Sequence, residues 1–509
     1  MGTGDESVGA RVGVTRWWGL VLGPAVALGM LVSPVPGGMS SEAWSVAAVT
    51  ALMAVWWVTE AIPIPATALL PIAAFPMLGV MSAGAAAAPY ANHLIYLFIG
   101  GFFLAVTMER WNLHKRVALH TLRLVGTSPR RMVLGFMVAT ASLSMWVSNT
   151  ATAMMMVPIG IAVLRQANAG RETTKEHRNL GTGLMLGIAY AASIGGVATL
   201  IGTPPNTVMA SMVEKLYGVD IGFARWMLLG VPLSVVTLVV TWLLLTWLFP
   251  TRGLDLGEVK DLLRSEVRSL GPVSRPEKLI VLVGLVAATG WVARGFLEQS
   301  MIVKRVWPRF DMVQDSTIGI ACAIALFVIP VSVRRREFLL DWSTAVKIPW
   351  GVVVLFGGGL SLAEGFSKTG LAEFLASMLQ GLEGTSLWVF VGTVVLLTIF
   401  LTELTSNTAT ATLLVPVMGS AAVAMGVHPY ATIVGACLSA SFAFMLPVAT
   451  PPNAVVFGSG CVTIRQMAWA GLWLNILGTL IITAFVVWVM PTLWGVDLGV
   501  LPPWARTAP

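Results

Sequence analysis

Two tripeptides of small oxygen-bearing residues, Ser148-Asn149-Thr150 and Ser406-Asn407-Thr408, each sit in the middle of a long uncharged stretch. Hydroxyl, amide and carbonyl oxygens are hard donors that suit an alkali cation and do not suit zinc or copper. Ser, Asn and Thr are also strong helix N-caps. A helix that breaks at such a tripeptide frees carbonyls for a cation, and the amides and positive dipole end of the restarted helix face an anion. The copies read SNTATAMMMVP and SNTATATLLVP, identical at eight of eleven positions and 258 residues apart. Ser144 precedes the first copy by one turn and Thr402 the second. Such residues also pack between membrane helices, but packing alone does not explain two copies in register, each followed by a proline, Pro158 and Pro416.

A second element is duplicated with them. Thr203-Pro204-Pro205-Asn206 returns as Thr450-Pro451-Pro452-Asn453. A double proline removes two backbone donors and ends a helix. The residues before it, TLIGT and LPVAT, offer carbonyls, and Gly202 and Ala449 are small enough for close backbone approach. Upstream, Phe98, Gly100, Gly101, Leu104 and Ala105 match Phe356, Gly358, Gly359, Leu362 and Ala363. Polar helix breaks at matching places in two halves of an apolar chain are the mark of a secondary transporter's binding site.

The elements that must position these residues are membrane helices. Of 509 residues 56% are apolar and 11% charged, against about 25% charged in soluble domains. Stretches free of Asp, Glu, Lys and Arg run 17–41, 61–108, 132–164, 179–213, 226–251, 404–464 and 466–496. About 20 apolar residues cross a bilayer, so several of these hold more than one segment. With shorter runs near 279–293, 317–333 and 384–402 the expectation is an all-α polytopic membrane protein with about eleven crossings and two hairpin-like insertions. The apolar run after Arg16 leads into SPVPGG rather than a cleavage site, which makes it a first transmembrane helix.

The expected organisation is a tail and first helix over 1–44, a first repeat over 45–249, a polar connector with two linking helices over 250–344, a second repeat over 345–492, and a tail over 493–509. The loop 110–131 carries Arg110, Lys115, Arg116, Arg123, Arg130 and Arg131, while its counterpart 366–389 carries Lys368 with Glu373 and Glu383. Short basic loops stay in the cytoplasm, so the equivalent loops face opposite sides, as an inverted repeat requires. The basic loop 165–178 pulls against this arrangement. The net charge of +7 follows from basic loops and is no nucleic-acid signal. Cys322, Cys437 and Cys461 form no CxxC pair and are expected to pack.

Among acids in apolar surroundings, Glu60 is expected to be structural or interfacial, and Glu403 either tunes a cation site or faces a partner. Glu364 is a third candidate for an ion or proton site. The histidines 93, 114, 120, 177 and 428 have no metal-ligand spacing, and solvated or interfacial places are expected for them. No Lys or Arg lies within fifteen residues of Asn149 or Asn407, so a bound dianion must be balanced by helix dipoles and co-bound cations. No nucleophile–base or metal constellation of an enzyme is evident, and no cofactor is expected.

In these residues the chain resembles the divalent anion/sodium symporter family, the sodium–dicarboxylate, citrate and sulfate transporters. The resemblance covers nearly the whole chain. It rests on both SNT motifs, on FIGGFFLAVTMERWNLHKRVAL and GTPPN, and on SFAFMLPVATPPNAVVFGSG, where Ser441, Phe444, Pro447, Val448, Ala449, Asn453 and Val455-Val456 fall at the expected spacing. It implies a sodium-coupled carrier of dianions, C4-dicarboxylates foremost, in the cell membrane. It also implies a homodimer with an elevator motion, and re-entrant hairpins at 93–126 and 350–383. It places a first sodium site at Ser144, Ser148, Asn149 and Gly202 and a second at Thr402, Thr405, Ser406, Asn407 and Ala449. Substrate contacts fall to Ser148, Asn149, Thr150, Thr203, Ser406, Asn407, Thr408 and Thr450. A sodium-independent dicarboxylate exchanger, a carrier chiefly of citrate or sulfate, and an ion exporter of related fold using Glu403 are the other readings of the same residues.

Overall fold

Helix starts in this chain follow local capping chemistry. In the computed structural model, which describes residues 5–126, 128–168, 174–254, 256–371, 374 and 386–506, Ser40, Ser148, Ser274, Thr450 and Thr463 each accept a backbone N–H at the head of a helix. Proline opens Pro129–Ser144, Pro204–Tyr217 and Pro451–Gly458, where its missing donor is no loss.

The amino-terminal helices are Asp5–Val32, Ser41–Thr59, Ile64–Thr67 and Leu70–Met77. The first half then runs through His93–Arg110, Leu113–Val125, Pro129–Ser144, Asn149–Ala167, Lys175–Val197, Pro204–Tyr217 and Phe223–Leu248. The connector holds Gly257–Ser269, and the two linking helices are Arg275–Gln299 and Asp315–Val328. The same order of breaks returns in Trp350–Thr369, Leu387–Thr402, Asn407–Ala424, Tyr430–Ala440, Pro451–Gly458 and Ile464–Ala484. Among the described residues nine helices are long and apolar enough to cross a membrane. Shorter apolar helices include Trp17–Val32, Leu387–Thr402 and Tyr430–Ala440. One departure from an all-helical chain is a small antiparallel pair, Pro330–Ser332 with Glu337–Phe338.

Lys175–Val197 is the axis of the packing. The whole of its most apolar stretch is buried, and it packs against Pro129–Ser144, Asn149–Ala167, Phe223–Leu248 and Pro451–Gly458. Its contact with Pro129–Ser144 needs Gly195, where a Cβ would run into the backbone of Ala141. The smaller of two apolar cores joins Val46, Met53, Trp57 and Phe75 to Leu355, Leu362 and Phe366.

The segment 93–126 folds as two helices, His93–Arg110 and Leu113–Val125. The second arm of 93–126, Leu113–Val125, carries His114, Lys115, Arg116, His120 and Arg123, too many polar groups for an arm immersed in hydrocarbon. It lies against the connector instead, with Lys115 Nζ 3.1 Å from Glu266 and Arg116 Nε 2.6 Å from Glu277. The turn at Asn112 reaches the central cavity, and so do the reversals between Pro129–Ser144 and Asn149–Ala167 and between Leu387–Thr402 and Asn407–Ala424. The far arm of 350–383 lies outside the described residues.

Candidate functional site

Each SNT motif is built as a broken helix. In the first half the chain leaves its helix after Ser144, and Ser148 caps the next, its Oγ accepting from Ala151 N at 3.3 Å. The Ser144 hydroxyl lies 2.7 Å from Asn149 Oδ1 and 2.7 Å from the Ala192 carbonyl. In the second half Thr402 Oγ1 lies 2.9 Å from Asn407 Oδ1 and 2.8 Å from the Ala440 carbonyl. Hydroxyl, amide oxygen and carbonyl therefore recur in one arrangement, and both hydroxyls are wholly buried.

The first cluster can be tested for a cation. Asn149 Oδ1, Ser144 Oγ and the Ala192 and Gly202 carbonyls converge, so that oxygen faces oxygen. If the amide turns over, its NH2 donates to Gly202 O at 3.3 Å, Ala192 O at 3.1 Å and Ser144 Oγ at 2.7 Å. A hydrogen-bond donor group and a cation are the two things that can sit among such oxygens, and the donor set is of the hard type an alkali ion takes. Gly196 is required beside it, because a Cβ there would come within 2.5 Å of Asn149 Oδ1. The residues present fit sodium.

The TPPN segments close the same space. Thr203 and Thr450 hold nearly identical extended conformations (φ −142 and −141) ahead of their prolines. The asparagines that follow are anchors: Asn206 Nδ2 donates to the carbonyls of Gly196, Val197 and Thr199 at 3.2, 3.3 and 2.8 Å. Asn453 Nδ2 donates to Ala443 O and Leu446 O at 3.1 and 3.0 Å. Both pin irregular backbone that lacks helical partners, which a membrane interior otherwise forbids.

One cavity of about 1530 Å³ is lined by both SNT motifs and by both Thr-Pro-Pro segments. All eight residues expected to touch substrate line it: Ser148, Asn149, Thr150, Thr203, Ser406, Asn407, Thr408 and Thr450. So do Gly202, Thr405 and Ala449, whereas Ser144 and Thr402 stand one layer behind the wall. Four helices begin at this wall, at Asn149, Pro204, Asn407 and Pro451. Their N–H groups and dipole ends make it attractive to anions.

Several lining residues carried no local signal. Lys347, exposed, brings a positive charge to the wall from outside the SNT and TPPN segments, and Glu109, His114 and Glu60 also line the cavity. Phe98 and Phe102 supply apolar wall, and for Phe98 alone its place in the repeated upstream block was a hint. Glu60 caps its helix in a left-handed conformation (φ 47), in keeping with a structural role.

The remaining acids and histidines sort differently from expectation. Glu403 does not face a partner: its Oε1 accepts from Phe444 N, Met445 N and Asn475 Nδ2, and its Oε2 accepts from Leu446 N. Glu364 is an ion-pair residue joining Lys215 and Lys368. His177 and His428 are buried rather than solvated, the first completing a capping box with Thr174, the second packed between Tyr430 and Trp504. His93 pairs with Glu214 at 2.9 Å. Cys322 and Cys437 are buried and Cys461 partly so, all as free thiols. Among the described residues no group of three His, Cys, Asp or Glu converges on a metal position.

A family model described as the sodium:sulfate symporter transmembrane region matches residues 14–496. The sodium-dependent dicarboxylate transporter SdcS of Staphylococcus saprophyticus is 41% identical over 485 residues, covering 94% of this chain and 92% of that protein. SdcS of Staphylococcus aureus (strain bovine RF122 / ET3-1) is 42% identical over 486 residues with the same coverage. Among solved structures, the Alcanivorax borkumensis YdaH transporter superposes with a TM-score of 0.53 at 16% identity, covering 94% of this chain and 98% of that one. Neisseria gonorrhoeae MtrF does so with a TM-score of 0.53 at 14% identity, covering 94% of each. These two share the helical membrane-transporter fold.

Proposed function

The chain belongs to the sodium:sulfate symporter transmembrane family, and from that premise we propose that it couples sodium entry to the uptake of C4-dicarboxylates such as succinate, malate or fumarate. It is a multi-pass membrane transporter and not an enzyme. Relatives 41% and 42% identical over 94% of the chain are named for sodium-dependent dicarboxylate transport, which supports this substrate class over citrate or sulfate.

The observation that carries the proposal is the meeting of both SNT motifs at one cavity, with four helix starts in its wall and hard-oxygen clusters at Ser144–Asn149 and Thr402–Asn407 behind it. Asn149, Thr150 and Thr203 hold one carboxylate of the substrate, and Asn407, Thr408 and Thr450 the other. Ser148 and Ser406 cap the helices that present these groups. Among the described residues Lys347 is the one Lys or Arg that lines the cavity, with the acids Glu60 and Glu109 in the same wall, so a dianion is left with at least one uncompensated charge. Sodium supplies it, at Ser144, Ser148, Asn149 and Gly202 and at Thr402, Thr405, Ser406, Asn407 and Ala449. Because an uncompensated charge in the membrane interior is costly, substrate and cations bind together, which is the physical content of coupling. Alternating exposure of the site is achieved by two inverted repeats in a homodimer whose substrate-bearing part moves as a body.

Purified protein in vesicles tests this. An inward sodium gradient drives accumulation of labelled succinate, and potassium or choline does not replace it. Equal uptake of external labelled succinate in choline medium, driven only by unlabelled dicarboxylate loaded inside the vesicles, would make the protein an exchanger and overturn the proposal.

A further inference from the structure

Between each SNT motif and the loop before its Thr-Pro-Pro segment the two halves place a tie, and the ties differ in charge. In the first half the tie is neutral: Thr199 Oγ1 donates to the Met145 carbonyl at 2.6 Å and accepts from Gly202 N at 3.0 Å. Met145 and Glu403 hold the same place, three residues before their SNT serines. In the second half the tie is a carboxylate. Glu403 Oε1 accepts from Phe444 N at 2.7 Å, Met445 N at 2.9 Å and Asn475 Nδ2 at 2.8 Å, and Oε2 accepts from Leu446 N at 3.1 Å.

Helix Tyr430–Ala440 has ended by this point, and residues 444–446 present three consecutive amides with no carbonyl to receive them. Buried donors left so would each cost free energy, and one carboxylate satisfies all three. The constraint continues toward the site. Leu446, held at its N–H by Glu403, is held at its carbonyl by Asn453 Nδ2 at 3.0 Å and Ala449 N at 3.2 Å. Ala449 and Thr450 follow immediately at the cavity wall.

We infer that Glu403, which directly follows Thr402 in sequence, is a positioning residue for the second cation site: its carboxylate sets residues 444–446 and through them the Ala449 carbonyl. It ligates neither cation nor substrate. This rests on the sodium-coupled reading above. It adds that the two sites are unequal, only the second depending on a buried carboxylate for its shape.

Three variants separate geometry from charge. E403Q keeps the acceptor at Oε1 but sets an NH2 against Leu446 N. E403D keeps the charge and withdraws it by one methylene. E403Q/N475D returns a negative charge to the same pocket on the wrong side chain. For uptake in vesicles we expect the sodium half-saturation of E403Q and E403D to rise about tenfold or more, one lost buried charge-assisted contact's worth. Succinate KM at saturating sodium should change little, and N475D should not restore sodium affinity. A wild-type sodium dependence in E403D, or recovery in E403Q/N475D, would overturn the inference, the latter because charge alone would suffice. If E403Q fails to insert, E403D carries the test. Sodium-induced thermal stabilisation of the substrate-free protein gives the same reading without transport. Absence of sodium-driven uptake by the wild type therefore counts against the functional proposal and leaves the Glu403 comparison readable.

Discussion

Removing one hydroxyl from each cation cluster tests the site most directly. Ser144 and Thr402 do not line the cavity and are fully buried, so Ser144→Ala and Thr402→Ala leave the substrate wall and its helix starts untouched. Each hydroxyl makes two close contacts, at 2.7 and 2.7 Å for Ser144 and at 2.9 and 2.8 Å for Thr402. A contact to a charged group contributes about 1.5–3 kcal/mol. At 1.4 kcal/mol per factor of ten, loss of one cation ligand raises the sodium half-saturation by about 10- to 150-fold. A neutral hydrogen bond of a packing hydroxyl would contribute only about 1 kcal/mol, to stability and not to sodium dependence. The assay is initial succinate uptake into vesicles across a sodium titration, with thermal unfolding measured on the same preparations. Thr402→Ser, which keeps the oxygen, should retain wild-type sodium dependence. Unchanged half-saturation in both alanine variants, with a lowered unfolding temperature, would refute the cation assignment and make these hydroxyls packing residues.

Other outcomes follow from the same geometry. Asn149→Ala and Asn407→Ala should each abolish uptake while the protein remains inserted, as membrane-fraction immunoblots and size-exclusion profiles would show; near-normal transport by both would leave the motifs purely structural. Lys347→Met should raise succinate KM about three- to tenfold at low ionic strength, with little change in maximal rate and a smaller gap at high salt, since an exposed charge acts through a screened field. Burial, with the Arg225 charge second, lowers the His428 pKa to about 4. The unfolded chain then binds more protons than the folded one between about pH 4 and 6.5, so stability falls as pH drops through that window. His428→Gln should remove part of the fall in unfolding temperature between pH 7 and 5. Arg116→Ala should cost about 3–5 kcal/mol by stranding the buried Glu277 carboxylate, read as a lowered unfolding temperature that Glu277→Gln in the same chain partly restores.

The features legible in the sequence were those set by neighbours a few residues away. Ser148 starts a helix with its side chain as cap because capping is local, Ser406 holds the same N-cap place without a side-chain cap bond, and Pro204 and Pro451 open helices because a missing N–H is harmless only there. Duplication then raised these local signals to a site. Positions that depend on contacts across the fold were not legible. Lys347 reaches the cavity from outside both repeated motifs, and nothing in its own surroundings distinguishes it from a loop lysine. Glu403 is four residues from Asn407, yet its partners are 41 to 72 residues away, so spacing alone left its role open. His177 and His428 are polar by type but fill a cap and an aromatic pocket. At 93–126 a repeated apolar block marks a helix without saying where the chain turns back or what its second arm packs on. Of the five basic residues of Leu113–Val125, Lys115 and Arg116 have partners in the connector, far away in sequence.

The Arg116 guanidinium also sets mechanical limits. It donates to the carbonyls of Leu270, Gly271 and Pro272 at 3.0, 3.0 and 3.3 Å, as well as to Glu277. Only residues 273 and 274 separate this clasp from the start of Arg275–Gln299. An unclasped connector of some 25 residues could stretch to roughly 80 Å; clasped, it has no slack between Leu113–Val125 and that helix. Those two helices must therefore travel, or stay still, together. Any joint that the proposed alternating exposure requires is then to be sought upstream of the clasp, between Leu248 and Leu270, or at the turns beside Asn112 and Gly126.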